Sequence, residues 1–190
     1  MNRIDYHIPF YKNHYFHIYN HAIGKELLFY KPENYKYFFK QYKNYLQNLV
    51  STYAFCLLQN HFHMLIRSES ENPGLISEQF RKFFISYSMS INKQENRQGG
   101  LFERGFKRRI IEDETHLLNV TAYIHTNPVH HNITSGYKNY PYSSYRLFLS
   151  SQSSTIRKNE VLEWFGGLDS FIEFHETLRK NITEKYFVIE

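Results

Sequence analysis

The chain has 190 residues, 42% of them hydrophobic and 18% aromatic, which suits one folded domain with a small appendage and excludes a disordered chain. A net charge of +5 fits a polyanionic partner without requiring one, and the single cysteine, Cys56, rules out an intrachain disulfide framework and fits a reducing cytoplasm. No run approaches the roughly 18 apolar residues of a membrane span, and the N-terminal MNRIDYHIPFYKNHYF lacks a signal-peptide core, so a cytoplasmic protein without a membrane partner is expected.

Residues 14–23, HYFHIYNHAI, are rich in strand formers and end at Gly24. Pro32 opens a helical stretch through NYKYFFKQYKNYLQNLV, with apolar and aromatic residues spaced by three and four. TYAFCLLQ (52–59) and HFHMLIR (61–67) read as two antiparallel strands about a turn at Asn60. SESENPG is a polar loop, and residues 75–93 predict a second helix that QENRQGG breaks. LFERGFKRRIIE (101–112) reads as a basic strand. DETHLLNVTAYIHTN (113–127) is a third helix, acidic in its first turn and closed by Pro128. PYSSY is loop-like, SSQSSTIRKN a surface linker, and the tail two short helices divided by Gly166 and Gly167. This order predicts an α+β, ferredoxin-like (RRM-like) antiparallel sheet with helices packed on it. The expected division is a domain over 1–150 and a helical extension over 151–190 with no assigned role.

Alternate strand residues share a face, so His61 and His63 project together while Phe62 and Met64 point the other way. Two adjacent imidazoles can share a metal ion. With 11 histidines in the chain, chance pairs occur, and two ordinary surface or core histidines, each bonded to a neighbour, explain the spacing taken alone. Tyr123 and Asn127 stand four apart on one helix face. Tyrosine can be a nucleophile and asparagine can offer a carbonyl oxygen, but a core tyrosine and a helix-capping asparagine explain the same spacing. Cys56 is expected to point away from the histidine pair. Arg104, Lys107, Arg108 and Arg109 are candidates for phosphate-backbone contact, or a solvated basic edge.

QNHFHMLI resembles the His-hydrophobe-His signature of the HUH single-strand DNA transposases and relaxases. LFERGFKRRIIEDETHLL, AYIHTNPVHHNI and YPYSSYRLF resemble, in the same order, three further segments of the REP-associated tyrosine transposases. The similarity runs from about Tyr15 to Phe148. Gln59 stands where many relatives have proline, Tyr142 where tryptophan is usual, and LFERGFKRR lacks a common tryptophan.

The resemblance implies that His61, His63 and Asn127 hold a divalent ion, Mg²⁺ or Mn²⁺, and that Tyr123 is the nucleophile. It implies metal-dependent transesterification of single-stranded DNA through a 5′-phosphotyrosine, an endonuclease and strand-transfer activity at hairpin-forming repeats. Both a homodimer and a monomer are compatible with it. Two other readings remain: a catalytically silent DNA- or RNA-binding module on the same fold, and a His-x-His phosphoesterase. The second wants a further in-line histidine, and Leu65 holds the next alternate position.

Overall fold

A computed structural model describes residues 8–151 and 153–181. Its elements are β1 (Tyr15–His21), α1 (Pro32–Leu46), β2 (Val50–Leu58), β3 (His61–Ser68), α2 (Pro73–Gln94), β4 (Lys107–Ile110), α3 (Glu114–His130), α4 (Tyr145–Leu149), α5 (Lys158–Trp164) and α6 (Leu168–Asn181). The strands form one antiparallel sheet in the order β2-β3-β1-β4. That order, with α1 and α2 as crossovers, is the ferredoxin-like arrangement expected from the element sequence.

Local chemistry sets the helix starts. The Asn34 side chain accepts from the backbone N–H of Tyr30 and Lys31, fixing the chain's entry into α1 behind Pro32. The Asn72 side chain caps α2 through Gly74 N–H at 3.0 Å and Leu75 N–H at 3.2 Å. Asp113 caps α3 through His116 N–H at 2.7 Å. The loop between β2 and β3 is just Gln59 and Asn60; the Gln59 carbonyl accepts from Leu28 and Phe29, and the Asn60 carbonyl from Ala22.

The sheet is buried on both faces. Phe16, Ile18, Phe62, Met64 and Ile66 meet the aromatic side of α1 and α2, including Phe38, Phe80, Phe83 and Tyr87. Ala54, Cys56, Leu58 and Leu65 meet α3, whose Leu117, Val120 and Ile124 share a second core with Tyr145, Phe165 and Phe171. The helices of the C-terminal stretch therefore contribute directly to the core beneath α3. Residues 182–190 of the expected extension lie outside the described residues.

Four boundaries differ from the sequence reading. The α1 helix ends at Leu46, and Val50 already belongs to β2. The basic strand is only Lys107–Ile110, because Gly105 takes a positive φ of 73° and Phe102 makes only an isolated bridge to Ala22. Within the expected surface linker, Ile156 is buried and the Arg157 N–H donates to the Thr52 carbonyl. Pro128 does not close α3, which continues through His130. The proline ring's fixed φ suits helical backbone and forfeits only its own N–H, and the helix closes after it, where the carbonyls of Asn127 and Pro128 accept from the N–H groups of His131, Ile133 and Thr134.

Candidate histidine–tyrosine site

His61 and His63 lie buried on the face of β3 that α3 covers. Register puts His61 opposite His21 and Leu58, and His63 opposite Tyr19 and Cys56. From above, α3 brings Tyr123 and Asn127, one helical turn apart. The Tyr123 ring stands 5.6 Å from that of His63 and 6.1 Å from that of His17, edge-on to both, and 5.6 Å from that of His130. The Asn127 Oδ1 lies 3.3 Å from His61 Nε2. The structure thus gathers the histidine pair, the tyrosine and the asparagine at one place.

The tautomers follow from the acceptors. His61 Nδ1 lies 2.8 Å from Asn60 Oδ1, and an amide oxygen only accepts, so Nδ1 carries the proton. Neutral His61 then turns the lone pair of Nε2 toward Asn127 Oδ1, another acceptor. A second proton, a metal ion, or an Asn127 amide turned to offer Nδ2–H to Nε2 reconciles these two atoms. Asn127 is fully buried and its Nδ2 makes no hydrogen bond among the described residues. The donor set therefore fits a cation held by one imidazole and one amide oxygen, with His63 beside them. His63 is oriented from the other side by His17, whose Nε2 lies 3.0 Å from His63 Nδ1.

Sequence reasoning missed four histidines here: His17, His21, His130 and His131. His131 offers a ring nitrogen that lies, with one from each of His61 and His63, inside a 4.8 Å group. Its ring meets that of His61 edge-on at 4.4 Å. The 123/127/131 spacing was the available signal, hidden by ending the helix at Pro128. His17 and His21 follow from the alternation of β1, which puts positions 17, 19 and 21 on one face.

The basic residues divide. Lys107 and Arg109 pair with Tyr19 and His17, hence on the site face of β4, and Lys107 Nζ sits 5.6 Å from the centre of the Tyr19 ring. Arg104 is exposed in the preceding turn. Arg108 faces the opposite layer: it is 6% exposed, stacks 4.5 Å from Phe10 and 5.3 Å from Phe106, and donates to Ser77 Oγ. Burial takes its guanidinium away from a DNA backbone. The expectation for Cys56 is also corrected. A two-residue loop sets it opposite His63, and opposed residues share a face. Burial pushes its thiol up, and it is not part of the histidine group.

The architecture is that of an α+β domain with a buried histidine–tyrosine centre under a helix. No family model matches the chain. A protein of Haemophilus influenzae named a REP-associated tyrosine transposase is 31% identical over 102 residues, 50% of this chain. The match spans 58% of that relative's length. The solved structure of a REP-associated tyrosine transposase bound to a REP hairpin shares the fold, with a TM-score of 0.64 and 13% identity over 80% of this chain and 87% of that one. The chain is thus similar to REP-associated tyrosine transposases in sequence and in fold, as its motifs indicated. Among the described residues no helix is long and apolar enough to cross a membrane.

Proposed function

We propose that the chain is a single-stranded DNA transesterase of the transposase type, with Tyr123 as nucleophile and hairpin-forming DNA as substrate. The observation that carries the reading is the convergence of Tyr123 and Asn127 on α3 with His61 and His63 on β3. The likeness to a named transposase, and to one solved with a hairpin, supports the choice of substrate.

In the reaction, the Tyr123 hydroxyl oxygen forms a bond to the scissile phosphorus, the P–O3′ bond breaks, and the 3′-oxygen leaves as a hydroxyl. The 5′ end remains joined to Tyr123 until another 3′-OH reverses the step. Bond energy is conserved, so no nucleotide cofactor is consumed. A free phenol has a pKa of about 10, so attack near neutral pH needs a base. The imidazoles of His17 and His130 stand beside the Tyr123 ring and are the candidates to take its proton, His63 being a metal ligand in this reading. His61, His63 and Asn127 would hold a divalent ion, whose chemical contribution is to offset charge on the non-bridging phosphate oxygens. Lys107 and Arg109 on the same sheet face, with Arg104 beside them, would neutralise flanking phosphates.

The test is incubation of the protein and a labelled single-stranded hairpin with divalent metal, read on a denaturing gel. A DNA–protein adduct is expected, and Tyr123→Phe should abolish it while hairpin binding persists. Cleavage without an adduct would show a hydrolase. An adduct retained in Tyr123→Phe would move the nucleophile elsewhere. Binding with no cleavage under Mg²⁺, Mn²⁺, Co²⁺ or Zn²⁺ would make the chain a silent binding module.

A further inference from the structure

We infer that His131 supplies a third imidazole to the metal centre, and that the centre therefore selects Co²⁺, Ni²⁺ or Zn²⁺ over Mg²⁺. This rests on the metal-dependent reading above and changes the ion it calls for. Ring nitrogens of His61, His63 and His131 lie within 4.8 Å of one another. Around a six-coordinate ion with bonds of roughly 2.1 Å, neighbouring nitrogens stand about 3.0 Å apart, so the widest pair closes by at most about 1.8 Å. His61 and His63 are fixed in a buried strand. His131 is the member able to move: it is exposed and sits at the C-cap of α3, where φ of −88° and ψ of 12° have left the helix.

Its position also has the right periodicity. Tyr123, Asn127 and His131 follow one another at four-residue intervals, so Asn127 on the helix and His131 at its C-cap put two donors on the nucleophile's side. His131 further lines a cleft of about 300 Å³ with Lys25, Gln59 and Asn60, so this imidazole is reached from solvent on that side. Imidazole nitrogen favours the later transition metals, whereas magnesium prefers a shell of oxygens and gives up water reluctantly. Three imidazoles with one amide oxygen are a poor magnesium shell. Around a six-coordinate ion they leave two positions for phosphate oxygen and water.

The test is titration of the metal-free full chain with Co²⁺, read by visible absorption, and with Mg²⁺ by calorimetry. His61→Ala identifies the signal that belongs to this centre. We expect Co²⁺ to bind the wild type at least tenfold more tightly than Mg²⁺. His131→Ala should weaken Co²⁺ by roughly tenfold to a hundredfold and alter its absorption band, with little change for Mg²⁺. His131→Gln, which keeps a polar side chain at this exposed position, should lose the same affinity. Wild-type Co²⁺ affinity and band in both variants, with loss in His61→Ala, would remove His131 from the centre. Tighter Mg²⁺ than Co²⁺ binding in the wild type would overturn the selectivity. A hairpin adduct alongside unchanged Co²⁺ binding in His131→Ala would keep the transesterase and discard the third imidazole. Loss of Co²⁺ binding in His131→Ala with no adduct under any metal would do the reverse.

Discussion

The two faces of the sheet are made by the same strands and are chemically opposite. Toward α1 and α2, β1 and β3 present Phe16, Ile18, Phe62, Met64 and Ile66, and Phe38 packs among Phe62, Phe83 and Tyr87 at 4.8–5.3 Å. Toward α3, the intervening positions are His17, Tyr19, His21, His61 and His63. Burying such polar groups costs free energy unless they are bonded, and here His17 meets His63 and Asn60 meets His61. Along β1 and β3 a period of two thus assigns apolar packing to one face and chemistry to the other, while Ala54, Cys56, Leu58 and Leu65 join α3 in the second core around the site. The apolar face contributes the burial that lets the histidine face be held rigid and partly dry.

Adjacent residues of β3 put that division under the strongest strain. Phe62→Ala opens a cavity among Phe38, Phe84 and Phe102 and should cost about 3–5 kcal/mol in urea unfolding. His63→Ala removes a bonded imidazole instead and should cost about 1–3 kcal/mol, while abolishing metal-dependent adduct formation. Equal stability losses from the two would mean that the histidine face is as much a folding core as the aromatic one.

The aromatic face was legible because its signal is local: apolar spacing in α1 and α2, and alternation in β3. The histidine pair was legible for the same reason. What escaped was set by backbone details and pairing. Pro128 signals a helix stop in the sequence, but its fixed φ suits helical backbone and α3 runs on to His130, which brings His131 to the C-cap above His61. The face of Cys56 depends on counting back through a two-residue loop, which pairs it with His63. Arg108 looked like its neighbours because a short basic run does not announce which of its members turns inward. Its pairing with Ile18 decides that.

A second histidine pair lies on the α3 side, and its character separates it from the first. His175 Nδ1 donates to the Phe171 carbonyl at 2.7 Å, so its Nε2 accepts from His125 Nδ1 at 2.8 Å, and His125 Nε2 accepts from Ser144 Oγ at 2.7 Å. This closed chain ties α3 to α6 and to the start of α4. Burial lowers both imidazoles, His175 to about 4 and His125 well below its ordinary value. The sign follows: the unfolded chain gains these protons near pH 6.5 and the folded chain does not, so stability falls as pH drops from about 6.5 toward 4. His175 alone accounts for ~3 kcal/mol of that loss. His175→Leu should be less stable at pH 7 yet lose less stability between pH 7 and 4, measured as urea midpoints against the wild type. Parallel acid limbs in the two proteins would show that His175 is protonated when folded, and would remove the contrast between a structural pair and a metal-directed one.

The smallest effect tests the faces through their cations. Arg109 pairs with His17 on the site side, whereas Arg108 is held by Phe10, Phe106 and Ser77 on the other. A side chain that neutralises a phosphate releases a counterion, so losing it lowers the slope of log affinity against log salt by about 1. Arg109→Ala, and Lys107→Ala beside it, should reduce the salt slope of hairpin binding by about that amount and leave the unfolding midpoint nearly unchanged. Arg108→Ala should leave the slope alone and cost about 1–2 kcal/mol of stability, because it gives up two aromatic contacts and a hydrogen bond. The reverse pattern, a reduced slope for Arg108→Ala and none for Arg109→Ala, would place the DNA against the α1 and α2 layer. The face that supplies stability would then also be the face that binds, and the division by strand period would fail where it matters for function.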